Sequence, residues 1–252
     1  MSNNFELMQE MLRETEIDRE TSPASQSGPI LFPASVESTA RRPAAFDGVA
    51  QEECLKLVQR IFLRQPSQVI VFAGIDNGDG CSRICAETAL ILAANTPASV
   101  CVVDADFRAP SLPDFFGVTN HLGLSNSLIE AGAIRTFTKQ LKSPNLFLLS
   151  AGDQTRGLSP QLSSDSFKIR FKELREEFRY ILIDAPALNL YADAVALARH
   201  ADGLVVVLQA ESTRRESAGK ALEMLREANV HVLGAVLNRR TFPIPNFLYR
   251  RL

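Results

Sequence analysis

The stretch Gln68-Val-Ile-Val-Phe-Ala-Gly-Ile-Asp-Asn-Gly-Asp-Gly-Cys-Ser-Arg-Ile-Cys85 decides the fold of this chain. Its β-branched, apolar run from Val69 to Phe72 predicts a buried strand, and the Ala-rich segment that continues to about Ala94 predicts a helix. Three glycines lie between them: Gly74, Gly78 and Gly80. A strand, a glycine-rich loop and a helix in this order predict a phosphate cradle. The glycines let backbone N–H groups turn inward, and the helix N-terminus adds a partial positive charge.

The end of this loop differs from the usual phosphate-binding sequence. A P-loop ends in Gly-Lys-Ser or Gly-Lys-Thr, whereas the matching residues here are Gly80, Cys81 and Ser82. Six residues of this loop are expected to bind a nucleotide, and among them Ser82 supplies the hydroxyl that would bind a metal ion. These loop residues are Gly78, Asp79, Gly80, Cys81, Ser82 and Arg83. The lysine is replaced by a cysteine.

Composition excludes several classes of protein. The 252 residues are 46% hydrophobic and 22% charged, with a formal net charge of −2, so no global basic field indicates nucleic acid or an acidic membrane as a partner. No uninterrupted apolar run reaches the roughly 18 residues that span a bilayer, and the first residues lack the features of a signal peptide. We therefore expect a cytoplasmic protein. Cys81 and Cys85 lie one helical turn apart, either as small buried residues or as a redox or metal pair.

The region before the glycine loop divides into three parts. Residues 1–17 can form a short amphipathic helix with Phe5, Met8 and Leu12 on one stripe, either a frayed tail or a segment that binds a partner. Residues 18–46 are rich in Ser, Pro and Ala and predict a linker. A helix is then predicted from Val49 to Phe62, at the start of a domain over residues 47–240. Residues 241–252 form a C-terminal tail.

Strands and helices alternate through the rest of the domain. Besides the strand at Val69, apolar runs predict strands over 99–103, 146–150, 180–183, 203–208 and 230–237. Helices are predicted between them over 124–131, 163–178, 192–200 and 213–228. Because the strands are apolar throughout rather than alternating, both faces of the sheet are expected to be covered. The fold class is thus α/β: a doubly wound, mostly parallel sheet with helices on both faces.

Aspartates follow two of these strands. Asp104 and Asp106 come after the run that ends at Val103, and Asp184 follows Ile183. Ligands of open parallel sheets bind beyond the carboxyl ends of the strands, and Mg²⁺ prefers hard oxygen ligands. Ser82, Asp104 and Asp184 therefore predict a magnesium–nucleotide site. A lone strand-end aspartate would more simply cap the following loop or helix.

The chain from about Glu52 to Asn238 resembles the bacterial tyrosine-kinase (BY-kinase) family, a branch of the deviant P-loop ATPases that also includes septum-positioning and chromosome-partitioning ATPases. The likeness is carried by ordered segments over 102–117, 123–128, 180–187, 201–207, 213–216 and 233–239. The resemblance implies that Asp104 and Asp106 form the second, catalytic Walker motif and that Asp184 is the Walker B residue. It further implies that Asn238 recognises adenine and that the cofactors are ATP and Mg²⁺. Members act in capsule or exopolysaccharide production with a membrane-anchored chain-length regulator.

Three departures from the family pattern bear on activity. Cys81 replaces the lysine that would bridge the outer phosphates, and the adjacent Arg83 either reaches a phosphate or points to solvent. A family helix with the pattern Glu-x-x-Arg-x-x-Arg closes a ring of subunits, but the matching residues here are Glu53, Lys56 and Gln59, so one of the two arginine charges is kept as lysine and the other is lost. Only Tyr249 remains of the C-terminal tyrosine cluster, either as a phosphorylation site or as an ordinary surface residue.

These features leave three hypotheses for function. The first is an impaired, pseudo-ATPase subunit that regulates or scaffolds polysaccharide production and binds nucleotide weakly or not at all. The second is an active ATP-dependent tyrosine autokinase or ATPase that uses Arg83 or another cation. The third, a partitioning-type ATPase, would want a basic surface or a basic C-terminal helix, and the tail instead contains Pro243 and Pro245.

Overall fold

The computed structural model describes residues 48–63, 67–152, 162 and 164–240. Within them, seven strands form one sheet. The strands are β1 (Val69–Gly74), β2 (Val100–Asp104), β3 (Lys139–Gln140), β4 (Leu146–Leu149), β5 (Tyr180–Ala185), β6 (Gly203–Gln209) and β7 (Val232–Asn238). The predicted N-terminal helix, the linker and the tail that carries Tyr249 lie outside the described residues.

The described helices connect these strands. They are α1 (Gly48–Val58), α2 (Cys81–Asn95), α3 (Leu112–Phe116), α4 (Leu124–Ile129), α5 (Asp165–Glu177), α6 (Asp193–Ala198) and α7 (Arg215–Glu227). One π-helical turn follows α1 (Gln59–Leu63), and one 3-10 turn precedes β3 (Ile134–Phe137).

The strand order is β3-β4-β2-β5-β1-β6-β7, and every pairing except β3 with β4 is parallel. The prediction of a mostly parallel α/β sheet is confirmed. The antiparallel edge strand β3 was not predicted, because its two exposed residues, Lys139 and Gln140, are too few and too polar to give a periodic signal. The order places β1 near the middle of the sheet, between β5 and β6.

Alternate residues of β1 supply two hydrophobic layers. Val69 and Val71 face one layer, where α5, α6 and α7 pack, whereas Ile70 and Phe72 face the other, where α1, α2 and α3 pack. All six residues of β1 are buried, as a strand covered by helices on both faces requires. The core therefore fixes β1 rigidly, and the loop that follows it leaves the sheet from a fixed point.

Helix α4 ends two residues before the predicted boundary, and Arg170 of α5 supplies the reason. Its guanidinium donates to the backbone carbonyl oxygens of Ser127 (2.6 Å), Glu130 (2.7 Å) and Gly132 (2.6 Å). These bonds satisfy carbonyl groups that a helix leaves without partners at its C-terminus. A side chain 40 residues away from Glu130 in sequence thus ends the helix.

Candidate nucleotide site

The loop between β1 and α2 is held in shape by one of its own side chains. The Oδ2 atom of Asp79 accepts hydrogen bonds from the backbone N–H groups of Ile75 (3.0 Å) and Asp76 (2.9 Å). Gly78 and Gly80 adopt positive φ angles of 90° and 83°, a conformation that glycine reaches without steric cost. Asp79 is 4% exposed. This predicted nucleotide-binding residue is therefore a buried brace of the loop.

Two residues that are distant in sequence also hold the loop, one at the end of β7 and one in the turn after β6. Asn238, the last residue of β7, donates from Nδ2 to the backbone carbonyl of Asp79 at 2.8 Å, and Thr213 donates from Oγ1 to Asp79 Oδ1 at 3.2 Å. A Cβ atom at Gly80 would lie 2.3 Å from Asn238 Nδ2, so only glycine fits against this amide. The contact with Thr213 was not predicted, because 134 residues separate it from Asp79.

The structure gives Asn238 intramolecular partners at both ends of its amide. Its Oδ1 atom accepts from the backbone N–H of Arg239 at 2.9 Å, and its Nδ2 atom holds Asp79 as described. An open cavity of about 300 Å³ lies beside the ends of β6 and β7. It is lined by Leu208, Gln209, Ala210, Glu211, Thr213, Leu237 and Arg240. Adenine recognition by Asn238 remains a prediction and would require the amide to exchange partners.

Asp104 and Asp184 lie side by side at the predicted edge of the sheet. Strands β2 and β5 are neighbours, and Asp104 pairs directly with Asp184 in their register. Both are buried, at 0% and 1% exposure. Asp104 accepts three backbone N–H groups, from Asp106 (3.2 Å), Ser111 (3.0 Å) and Leu112 (3.0 Å). Burial and the neighbouring Asp184 nevertheless raise the pKa of Asp104 well above its usual value.

Asp184 differs from Asp104 in having no hydrogen bond of good geometry at either carboxylate oxygen. Burial raises its pKa to about 7, although the nearby side chains of Ser82 and Cys81 act in the opposite direction. A buried carboxylate without a hydrogen-bond partner destabilises the fold, and a bound cation would stabilise it. Together with the Ser82 hydroxyl and the neighbouring Asp104, it presents the hard oxygen atoms that Mg²⁺ prefers. The residues therefore fit the predicted magnesium ion.

The described residues contain no group of three His, Cys, Asp or Glu side chains arranged to hold a metal ion. Mg²⁺ in nucleotide sites is commonly bound through one or two carboxylates together with substrate phosphates and water. The pair of aspartates and Ser82 matches that kind of site, in which the substrate completes the coordination.

Cys81 is the first residue of α2, directly after Gly80. The residue keeps partial exposure, but its thiol is enclosed beside Asp184. Burial and the negative charge of Asp184 raise the pKa of the Cys81 thiol well above its usual value, so the thiol stays protonated and uncharged. Burial acts in the same way on the pKa of Cys85. The position expected to carry a lysine thus adds no positive charge.

Arg83 and Asp106 occupy different environments from those of the buried pair. Arg83 is half-buried on α2, and its positive charge opposes the rise that burial causes in the pKa of Glu87, one turn further along. Asp106 folds the backbone after β2, since its Oδ1 atom accepts the N–H groups of Arg108 and Ala109, both at 3.1 Å. Arg108 in turn forms an ion pair with the buried Asp193, and its guanidinium lies 4.1 Å from the ring centroid of Tyr191.

Two of the three residues that match the family's ring-closing helix, Glu53 and Lys56, form an ion pair within this chain. Lys56 Nζ lies 2.8 Å from Glu53 Oε1 and 3.1 Å from Glu52 Oε1 on the exposed face of α1. In the described residues, no helix is both long enough and apolar enough to be a candidate for crossing a bilayer.

Comparison with known proteins gives a family and a set of relatives. The ParA family model, described as NUBPL iron-transfer P-loop NTPase, matches residues 65–248. The chain is similar to the putative tyrosine-protein kinase CapB of Staphylococcus aureus, with 34% identity over 138 residues, which are 55% of this chain and 60% of CapB. It is also similar to the tyrosine-protein kinase YwqD of Bacillus subtilis (strain 168), with 29% identity over 175 residues, 69% of this chain and 73% of YwqD.

A solved structure shows the same fold. The chimerical protein CapA2B2 aligns with a TM-score of 0.72 and 24% identity, over 76% of this chain and 85% of its own. The relatives that match are bacterial tyrosine kinases, as the sequence motifs predicted.

Proposed function

We propose that this chain, which belongs to the ParA family of P-loop NTPases, is a BY-kinase-like subunit whose phosphate loop no longer supports rapid phosphoryl transfer. In this proposal it binds nucleotide weakly and serves as a regulatory or scaffolding component of capsule or exopolysaccharide production.

One observation carries the proposal: the neutral thiol of Cys81 lies beside Asp184, where an ammonium group is expected. Positive charge at this point would offset the negative charge that develops on the transferred phosphoryl group. Removing one such stabilising group costs about 3–4 kcal/mol of barrier, or roughly a hundredfold to a thousandfold in rate. The loss of the lysine therefore lowers turnover more than it alters the fold.

The retained residues support binding of Mg²⁺ and nucleotide. Ser82, Asp104 and Asp184 would hold the metal ion, and the backbone of Gly78 to Ser82 would bind phosphate. When bound, Mg²⁺ neutralises phosphate charge and polarises the transferring group. The chain's own part is to position the loop through Asp79 and to exclude water at the buried pair of aspartates.

The second candidate function is an active ATP-dependent tyrosine autokinase or ATPase. It is favoured by the survival of Ser82, Asp104, Asp106 and Asp184, which are the oxygen-bearing groups that such chemistry needs. In this candidate a different cation replaces the lysine, and Arg83 is the nearest in sequence.

The proposed partner is the cytoplasmic part of a membrane-anchored polysaccharide chain-length regulator. The resemblance to capsule-type tyrosine kinases supports this choice. Co-purification of the full chain with that cytoplasmic segment tests it, with a truncation that removes residues 1–17 as the matched variant. Loss of association in the truncated protein would assign the predicted N-terminal helix to the interface.

Calorimetric titration of the full chain with Mg·ATP tests the proposed impairment. We expect weak or undetectable binding for the wild-type protein and a gain of at least about tenfold in affinity for Cys81→Lys, because the new ammonium group lies beside the phosphates and the aspartates. Cys81→Ser is the matched control, since it changes the side chain without adding charge. Tight wild-type binding together with brisk autophosphorylation at Tyr249 would overturn the proposal in favour of the active kinase.

A further inference from the structure

The site is rich in carboxylates. Five aspartates lie at this edge of the sheet, in strand ends and in the loops that follow them: Asp76, Asp79, Asp104, Asp106 and Asp184. Backbone N–H groups satisfy Asp79, Asp104 and Asp106. Asp184 is different, because it is 1% exposed and neither of its oxygens accepts a hydrogen bond of good geometry. It is the unsatisfied acceptor that faces Ser82 and Cys81 at the end of the phosphate loop.

Two arginines that follow the site's loops are bound to other groups. Arg108 is bound to Asp193 and stacked on Tyr191. Arg239 donates to Gln209 Oε1 at 3.0 Å. Cys81, at the position of the expected lysine, is uncharged. The backbone N–H groups of the loop and the N-terminus of α2, which is a 15-residue helix, supply partial positive charge to a phosphate in the loop.

The aspartates and the uncharged Cys81 limit the negative charge that a ligand of this site can carry. Backbone donors of a single loop can serve the phosphate that lies in the cradle, but each further phosphate adds negative charge on the side where the strand-end aspartates lie. A lysine would normally offset that charge. Its absence therefore penalises a triphosphate more than a diphosphate.

We propose that the site selects nucleoside diphosphates over nucleoside triphosphates, both as their Mg²⁺ complexes, because with Cys81 in place of a lysine a third phosphate beside Asp104 and Asp184 has only the charge of Mg²⁺ to offset it. The inference rests on the proposed function and deepens it. A domain with this preference reports the diphosphate state of the nucleotide pool and does not consume the triphosphate.

The experiment compares Mg·ADP and Mg·ATP binding to the full chain by calorimetry. At low salt we expect Mg·ADP to bind at least about tenfold more tightly, the size of effect that one uncompensated charge at close range produces at a partly buried site. The ratio should fall as salt is raised, because screening weakens the repulsion. Pyrophosphate and tripolyphosphate, titrated in the same way, should show the same order and so exclude a contribution from the base.

Two variants complete the design. Cys81→Lys should bring the ratio to about one or reverse it by strengthening ATP binding, whereas Cys81→Ser should keep it. If Cys81→Lys does not fold, the wild-type ratio and its salt dependence still decide the matter. Equal affinities, tighter ATP binding or no detectable ADP binding overturn the inference. The proposed function is judged separately by phosphoryl transfer, so each can fail without the other.

Discussion

Asp104 and Asp184 are adjacent and equally buried, but they depend on their surroundings in opposite ways. The carboxylate of Asp104 accepts three backbone N–H groups, whereas that of Asp184 accepts none with good geometry. The same substitution, aspartate to asparagine, should therefore be less favourable at Asp104 than at Asp184. Asp104 holds the loop after β2 in place, whereas the carboxylate of Asp184 is available to a ligand.

At pH 8 we expect Asp184→Asn to raise the free energy of unfolding by about 1–3 kcal/mol, because it removes a charge that burial disfavours. The pKa of Asp184 is raised to about 7 in the folded protein. Between the ordinary aspartate pKa, near 4, and the folded value of about 7, the folded protein keeps a proton that the unfolded chain releases. The stability of the wild-type protein therefore falls as the pH rises through this range. Denaturant titrations at pH 5 and pH 8 check this: the advantage of the variant should shrink at pH 5. A variant that is less stable than wild type at pH 8 contradicts the account.

Asp104→Asn should give a free energy of unfolding about 1–3 kcal/mol below that of Asp184→Asn, because the amide nitrogen of asparagine cannot accept the N–H groups that the carboxylate accepts, and this loss offsets the gain from removing a buried charge. The same denaturant titrations measure this difference. Mg²⁺ provides a further distinction, since added ion should stabilise the wild-type protein but not Asp184→Asn. An Asp104→Asn variant as stable as Asp184→Asn would show that the three N–H contacts are not important.

Gly80 and Gly78 form a matched pair within the phosphate loop. Both have positive φ, but a Cβ atom at Gly78 would meet nothing within 4 Å, whereas one at Gly80 would lie 2.3 Å from Asn238 Nδ2. Gly78→Ala should cost about 1 kcal/mol for backbone strain alone, and Gly80→Ala should cost clearly more. Thermal unfolding of both variants, with Asn238→Ala added to each, measures the difference. Rescue by Asn238→Ala should be confined to Gly80→Ala, and equal costs without rescue would rule out the contact.

At the scale of elements, one aspartate at the opposite end of the sheet joins three segments. Asp202, which precedes β6, accepts the backbone N–H groups of Gln68 (2.7 Å) and Val69 (2.8 Å) at the start of β1. It also accepts from Arg175 of α5 at 2.8 Å. Partial burial alone would raise the pKa of Asp202, but Arg175 and the two N–H groups outweigh burial, so the pKa lies below its usual value.

Asp202→Asn should lower the free energy of unfolding by about 1–2 kcal/mol at neutral pH, because one oxygen that accepts hydrogen bonds is lost. A lowered carboxyl pKa gives stability that is present above the ordinary value and is lost as the pH falls through the folded value. The gap between variant and wild type should therefore close as the pH falls through the lowered pKa of Asp202. Urea titrations over that pH range test the effect, and a gap that does not change with pH would assign it to something other than the charge.

Local patterns predicted β1, the glycine loop, α2 and the strand-end aspartates from the sequence. They depend on neighbours in the chain and on the parallel register, which brings Asp104 beside Asp184. The clamp on the loop was not predicted, because Thr213 and Asn238 reach Asp79 across 134 and 159 residues. The end of α4 was misplaced for the same kind of reason, since Arg170 acts from a different helix.

At the scale of the whole molecule, the residues that form the hydrophobic core are different from the residues of the candidate site. Two hydrophobic layers hold β1 from both sides, and neither layer uses the strand-end carboxylates. Under the proposed function, a cysteine at position 81 would therefore lower the rate of phosphoryl transfer without disturbing the fold. Similarity to bacterial tyrosine kinases persists over more than half of the chain, as expected if the architecture was kept while the role changed.

The central claim is that the site lacks the positive charge required for rapid phosphoryl transfer. The most direct measurement is the rate of γ-phosphate release and transfer from Mg·ATP by the full-length wild-type chain, with Asp184→Asn as the folded, metal-site control. The account predicts a wild-type rate that cannot be distinguished from the rate of this control. Brisk wild-type turnover that Asp184→Asn abolishes would contradict it.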